Sequence, residues 1–124
     1  MNDAALHNTI RAFNARHFDK ASDHAAEGLA TAQGRDEAFW MGLHDACSGY
    51  ADVHAGRYDH AESKLTGAMQ KLRNFGFRYQ NFEVTAALAG IRRAVEEIRA
   101  VRSGRRNFDV SLLPQLRLAA KADD

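Results

Sequence analysis

Asp23 and Glu27 stand four residues apart in a stretch of helical periodicity, so their carboxylates share one helix face. Paired carboxylates of this kind are hard oxygen ligands and can also exchange protons. Ser22 precedes them and His24 adjoins Asp23. His44-Asp45 sits on the next helix, beside its apolar seam, and is expected to face Asp23 across the helix pair. Ser22, Asp23, Glu27, His44 and Asp45 are therefore the candidate polar pocket, with metal-assisted hydrolysis as the chemistry such a group would support. The plainer reading of Asp23 and Glu27 is a solvated acidic face. Histidines occur at 7, 17, 24, 44, 54 and 60, without a His-x3-His or His-Glu-x-x-His spacing. A transition-metal site would need ligands converging from several helices, and no cofactor is expected.

Other reactive types are sparse. Cys47 is the single cysteine, which excludes an internal disulfide and a cysteine-based zinc site within one chain. It reads as a small buried apolar residue. Ser22, Ser48 and Ser63 have no evident base and orienter, and neither a Gly-x-Ser-x-Gly elbow nor a phosphate-binding loop occurs. Arg92, Arg93, Arg99, Arg102, Arg105 and Arg106 form a basic run that would bind nucleic acid in a salt-dependent way. The alternatives are pairing with Glu96 and Glu97, or docking on the acidic half of another copy. Trp40, the only tryptophan, is read as a core or subunit-contact residue.

The elements that must position these groups read as helices. Leu6, Ile10 and Phe13 share one face of a first helix, for which Asp3 is the expected cap. Phe18, Ala21, Ala25 and Leu29 mark a second, with Gly34 after its end. A third, capped by Asp36, reads Phe39, Leu43, Ala46/Cys47, Tyr50 and Val53/His54 before Gly56. A fourth reads Tyr58, Ala61, Leu65, Ala68/Met69 and Leu72, with Asn74 and Gly76 beyond it. The fifth has the clearest seam: Val84, Leu88, Ile91, Val95, Ile98 and Val101, ended by Ser103-Gly104. No segment alternates long enough to suggest a strand. The apolar stretch 108–118, interrupted by the only proline, Pro114, is expected to lie across the surface as an extended segment. Residues 1–118 read as a single helical domain, and 119–124 as a frayed end.

A chain of 124 residues suits one domain with a real core. Apolar residues make up 45% and charged residues 27%, which excludes disorder along the whole length. The net charge of +1 hides an asymmetry: residues 1–62 carry five Lys/Arg against ten Asp/Glu, and residues 63–124 carry twelve against six. Such a split favours steered contact between copies or with another protein. No apolar run reaches the roughly 18 residues of a membrane span, and nothing at the start resembles a secretory signal, so a cytoplasmic protein is expected.

The chain echoes itself at an offset of 40. Residues 15–21 read Ala-Arg-His-Phe-Asp-Lys-Ala and residues 55–61 read Ala-Gly-Arg-Tyr-Asp-His-Ala. Phe18 and Tyr58 are placed to plug the gap between paired helices, and Ala21 and Ala61 to let the backbones approach. Asp19 and Asp59 suit the positive end of a new helix. This predicts an all-α domain of two tetratricopeptide-like hairpins, a fifth helix and a short extended tail, although that repeat normally has a period near 34.

These residues resemble the bacterial and archaeal family called domain of unknown function 309, from about Leu6 to about Leu118. Its Phe-Asn start and following aromatic correspond to Phe13-Asn14 and Phe18. Its Glu-Ala-His-Glu is matched by Lys20-Ala21-Ser22-Asp23, so Ser22 replaces the histidine and Asp23 the second glutamate. Ala26, beside Glu27, stands at a later glutamate, and Leu29 at a tryptophan. Phe39-Trp40-Met41-Gly42-Leu43 matches the third-helix pattern; Gly56, Tyr58 and Ala61 match the second hinge; Phe75 to Ile98 is similar to the last helix with its lead-in. The resemblance implies a fold rather than an activity. The expectation is a non-enzymatic protein-interaction module or homo-oligomer, with the metal-dependent pocket and nucleic-acid binding as alternatives.

Overall fold

A computed structural model describes residues 1–104 and 107–119. Five helices follow one another: α1 (Asp3–Asn14), α2 (Phe18–Thr31), α3 (Arg35–His54), α4 (Tyr58–Leu72) and α5 (Val84–Arg102). Each packs on the next in chain order. The all-α class is as expected. Among the described residues, no helix is long and apolar enough to cross a membrane.

The helix starts differ from those read in the sequence. Asn2, not Asp3, caps α1, its side-chain oxygen accepting from the Ala5 N–H. Asp3 instead places a carboxylate in the first turn. Gly34, at φ +61°, precedes α3. Asp36, expected as the cap, lies in the first turn of α3, where its carboxylate accepts a hydrogen bond from the Tyr79 hydroxyl.

The 40-residue echo is reproduced bond for bond at the two hinges. At the first, Arg16 N–H donates to the Phe13 carbonyl and His17 N–H to the Ala12 carbonyl, both at 2.9 Å. At the second, Gly56 N–H donates to Val53 (3.1 Å) and Arg57 N–H to Asp52 (2.8 Å). This paired closure of a helix end requires a left-handed residue. Gly56 supplies it at φ +80°, but Arg16 adopts it at φ +67°. A β-carbon makes that conformation uncommon.

The core is continuous from α1 to the tail. Phe13, Phe18 and Tyr50 meet at centroid distances of 5.0–6.1 Å and close the first hinge. Trp40 is fully buried, as a core residue. It lies flat against α2 because residue 28 is glycine: a Cβ there would come within 2.6 Å of the indole. Phe39 gathers Phe75, Tyr79 and Phe82 around itself.

Phe75 and its neighbours belong to a connection that departs from the strand-free expectation. A single 3-10 turn (Arg73–Phe75) leads into β1 (Arg78–Tyr79) and β2 (Phe82–Glu83). The strands are antiparallel, with Tyr79 opposite Phe82. Gln80 and Asn81 link them at φ +51° and +67°, the geometry of a tight two-residue hairpin turn. Two-residue strands are too short to give an alternating pattern.

The tail is largely extended, as expected. Phe108 stacks on Tyr58 at the second hinge, and a 3-10 turn follows (Val110–Leu112). Leu113 and Leu116 are buried, and Leu118 bridges to Phe82. Ala119, expected to fray, donates its N–H to the Asn81 carbonyl at 2.5 Å. Residues 120–124 lie outside the described residues.

Candidate functional site

The polar residues singled out in the sequence are not brought together. Asp23 and Glu27 are exposed on α2, and Glu27 sits 3.4 Å from the His24 ring. Ser22 is half-buried on the same helix. Asp45 turns toward α4, where Lys71 holds it at 2.7 Å, and not toward Asp23. His44 is half-buried without a hydrogen-bonding partner among the described residues. Among the described residues no three of His, Cys, Asp or Glu are grouped to hold a metal ion. Cys47 is sealed in the core, and burial pushes its thiol up to about 12.

The basic run is divided. Arg99 lies 3.3 Å from Glu62; Arg102 reaches Glu62 at 2.9 Å and Asp59 at 3.1 Å. These pairs clasp α5 to α4. Arg92 and Arg93 are exposed, and Arg105 and Arg106 lie outside the described residues. Two arginines of the run thus face carboxylates of α4.

Asp52 went unnoticed in the sequence. It is buried on α3 at 3% exposure, and two cations close on it: Arg57 at 2.8 Å and Lys64 at 2.8 Å. Lys64 also donates to the Ser48 hydroxyl. Burial alone would raise the Asp52 pKa. The hydrogen bonds and charge of Lys64 and Arg57 more than offset it and hold the carboxyl below its ordinary range. This is a structural tie of α3 to the second hinge and α4.

What the fold does assemble is a seat for the chain's own tail. The tail runs from the first hinge past α1 toward the β-hairpin, with α5 beneath it. Asn14, the last residue of α1, grips the Leu116 backbone from both sides: its amide donates to the Leu116 carbonyl (3.0 Å) and its oxygen accepts the Leu116 N–H (2.8 Å). Arg16 donates to the carbonyls of Pro114 (2.5 Å) and Leu113 (2.9 Å). Beyond them, Glu83 N–H donates to the Arg117 carbonyl at 2.9 Å. These contacts read backbone, while Leu113 and Leu116 fill apolar space. Gly90 of α5 makes room for the segment: a Cβ there would lie 2.8 Å from the Pro114 ring. The same point is 3.6 Å from the Tyr50 hydroxyl, which is buried and has no hydrogen-bonding partner among the described residues. Burial pushes its ionisation upward.

The hinges also open two similar cavities. One, about 280 Å³, is lined by Arg16, His17, Phe18, Asp19 and Lys20, with Ala51 and His54 from α3. The other, about 340 Å³, is lined by the matching residues 56–60 with Arg102 from α5.

Asn14 was visible in the sequence as half of the Phe13-Asn14 pair, but its partner lies 102 positions away. No spacing rule connects them. Compared with protein-family models, curated proteins and solved structures, the chain matches none.

Proposed function

We propose that this chain is a helical protein-interaction module that holds extended polypeptide along α1 and α5. The observation that carries the reading is the seat of residues 113–119. Asn14 and Arg16 bond to main-chain atoms there, and small Gly90 clears the path. Hydrogen bonds to main-chain groups, with apolar pockets for selected side chains, are how proteins hold extended peptides. The uneven charge of the two halves would steer encounter with a partner or a second copy. The resemblance to domain of unknown function 309 agrees with a compact helical scaffold and adds no activity. A cytoplasmic setting completes the reading.

Selection of the intact protein against a library of short random peptides tests it, together with its mass in solution across a concentration series. Enrichment of a shared apolar motif, or reversible self-association, is the expected result. A flat selection from a protein that stays monomeric and cross-links to nothing overturns it.

A further inference from the structure

The tail is an imperfect occupant of its own seat. Pro114 lies over Gly90, where a Cβ would also be 3.6 Å from the buried Tyr50 hydroxyl, and proline brings neither an N–H nor a polar side chain to that hydroxyl. The resident segment thus leaves a buried polar group unpaired at the floor of the seat, which is unfavourable for a tyrosine hydroxyl. The backbone around the seat is also unusual. Arg16 takes the left-handed conformation that glycine supplies at the matching hinge position, and that same residue reaches the Leu113 and Pro114 carbonyls. Backbone strain of this kind collects where a ligand is clamped. Finally, the tail is fastened largely by side-chain clamps and isolated backbone bonds, not by a long ladder. Segments so held open locally before the rest of a domain unfolds.

Resting on the interaction reading above, we propose that the tail is a cis-acting competitor, and that the seat accepts in trans an extended segment of a partner protein. The chemistry of that segment follows from the seat. It carries leucine-like side chains at the Leu113 and Leu116 positions, three apart, and presents free backbone groups to Asn14. Between them, at the Pro114 position, it carries a small residue with a hydroxyl or amide that reaches Tyr50. The tail is the low-affinity version of this ligand. Its attachment to the chain compensates by raising its effective concentration.

The test uses the full chain carrying Leu116→Asp, which removes an apolar anchor of the resident tail, and a fluorescein-labelled peptide of residues 107–119. Binding to this variant is expected to be about tenfold tighter than to the unaltered protein, because the intramolecular competitor is weakened. A peptide with Pro114→Ser is expected to bind more tightly still. Tyr50→Phe in the receptor should remove that serine gain, and Asn14→Ala should weaken binding of both peptides roughly thirtyfold. Equal binding to variant and unaltered protein, or no binding to a variant with intact helical circular dichroism, overturns the proposal. An Asn14-dependent dimer that excludes the peptide also overturns it, by assigning the seat to a second copy. Should Leu116→Asp fail to fold, hydrogen exchange on the unaltered protein decides. The Leu116 and Glu83 amides must exchange faster than those of α4, and exchange only through global unfolding overturns the cis-competitor. A partner bound at a surface indifferent to Asn14→Ala would leave the interaction module standing and remove only this assignment.

Discussion

Asn14→Ala is the substitution that most directly probes the seat. It removes two hydrogen bonds to the Leu116 backbone and nothing from the main apolar core, because Asn14 is only half-buried. Docking the tail buries Leu113 and Leu116, which contributes about 1.5–3 kcal/mol each. The bonds from Asn14, from Arg16, from Glu83 to Arg117 and from Ala119 to Asn81 add about 0.5–1.5 kcal/mol net apiece. The favourable terms together reach about 6–15 kcal/mol on these scales. Ordering the backbone of residues 113–119 costs about 1–2 kcal/mol per residue, hence about 7–14 kcal/mol. The two ranges coincide, so docking rests on a small difference. Losing the Asn14 clamp at about 2 kcal/mol then shifts the docked-to-released ratio roughly thirtyfold. Hydrogen exchange read by mass spectrometry on fragments covering 110–119 measures that shift. Protection there is expected to collapse while the helical signal at 25 °C stays intact. Unchanged tail protection would refute the reasoning, and so would loss of the helices along with the tail.

Three further outcomes follow from the packing. Gly28→Ala should destabilise the domain by about 1–3 kcal/mol through overpacking against Trp40, despite alanine's helix preference, and a thermal melt reads it. At Asp52 the two sides of the ion cluster differ. Removing the carboxylate leaves Arg57 and Lys64 able to reach water and should cost about 1.5–3 kcal/mol. Removing both cations leaves a buried charge and should cost about 3–5 kcal/mol, which denaturant titration of the two variants compares. Because the folded Asp52 pKa is lowered, its contribution is complete above the ordinary carboxylate range and lost as pH falls through the folded value. Asp52→Asn should accordingly flatten the acid limb of the stability profile. Cys47, with its thiol at about 12 and no exposure, should react with a thiol reagent at pH 8 only as fast as the protein unfolds.

The sequence made the helices legible because their signal is local. Val84, Ile91, Val95 and Ile98 are buried on α5 as their spacing requires, while Leu88 and Val101 sit at the edges of the stripe. The hinges were legible because the chain states them twice. The β-hairpin was not: its strands have two residues each, and its only local mark is Gln80-Asn81 between two aromatics. The candidate pocket is scattered for a different reason. Asp23, Glu27, His44 and Asp45 drew attention by chemical type, yet type says nothing of direction, and Asp45 faces Lys71. Asn14 and Arg16 are unremarkable by type, and their partners lie 102 and 97 positions away.

The two hinges differ at one position that matters for the tail. Both hinges close with the same pair of backbone bonds, and both need a left-handed residue at the same point. Gly56 meets that need at no steric cost and has no side chain to project. Arg16 meets it with strain, but its guanidinium spans to two carbonyls of the tail. A glycine at position 16 would close the hinge equally well and leave the Leu113 and Pro114 carbonyls without their donor. The demands of helix closure therefore do not account for arginine at this position. Its bonds to the tail do, since they join the first hinge to the segment that lies across it.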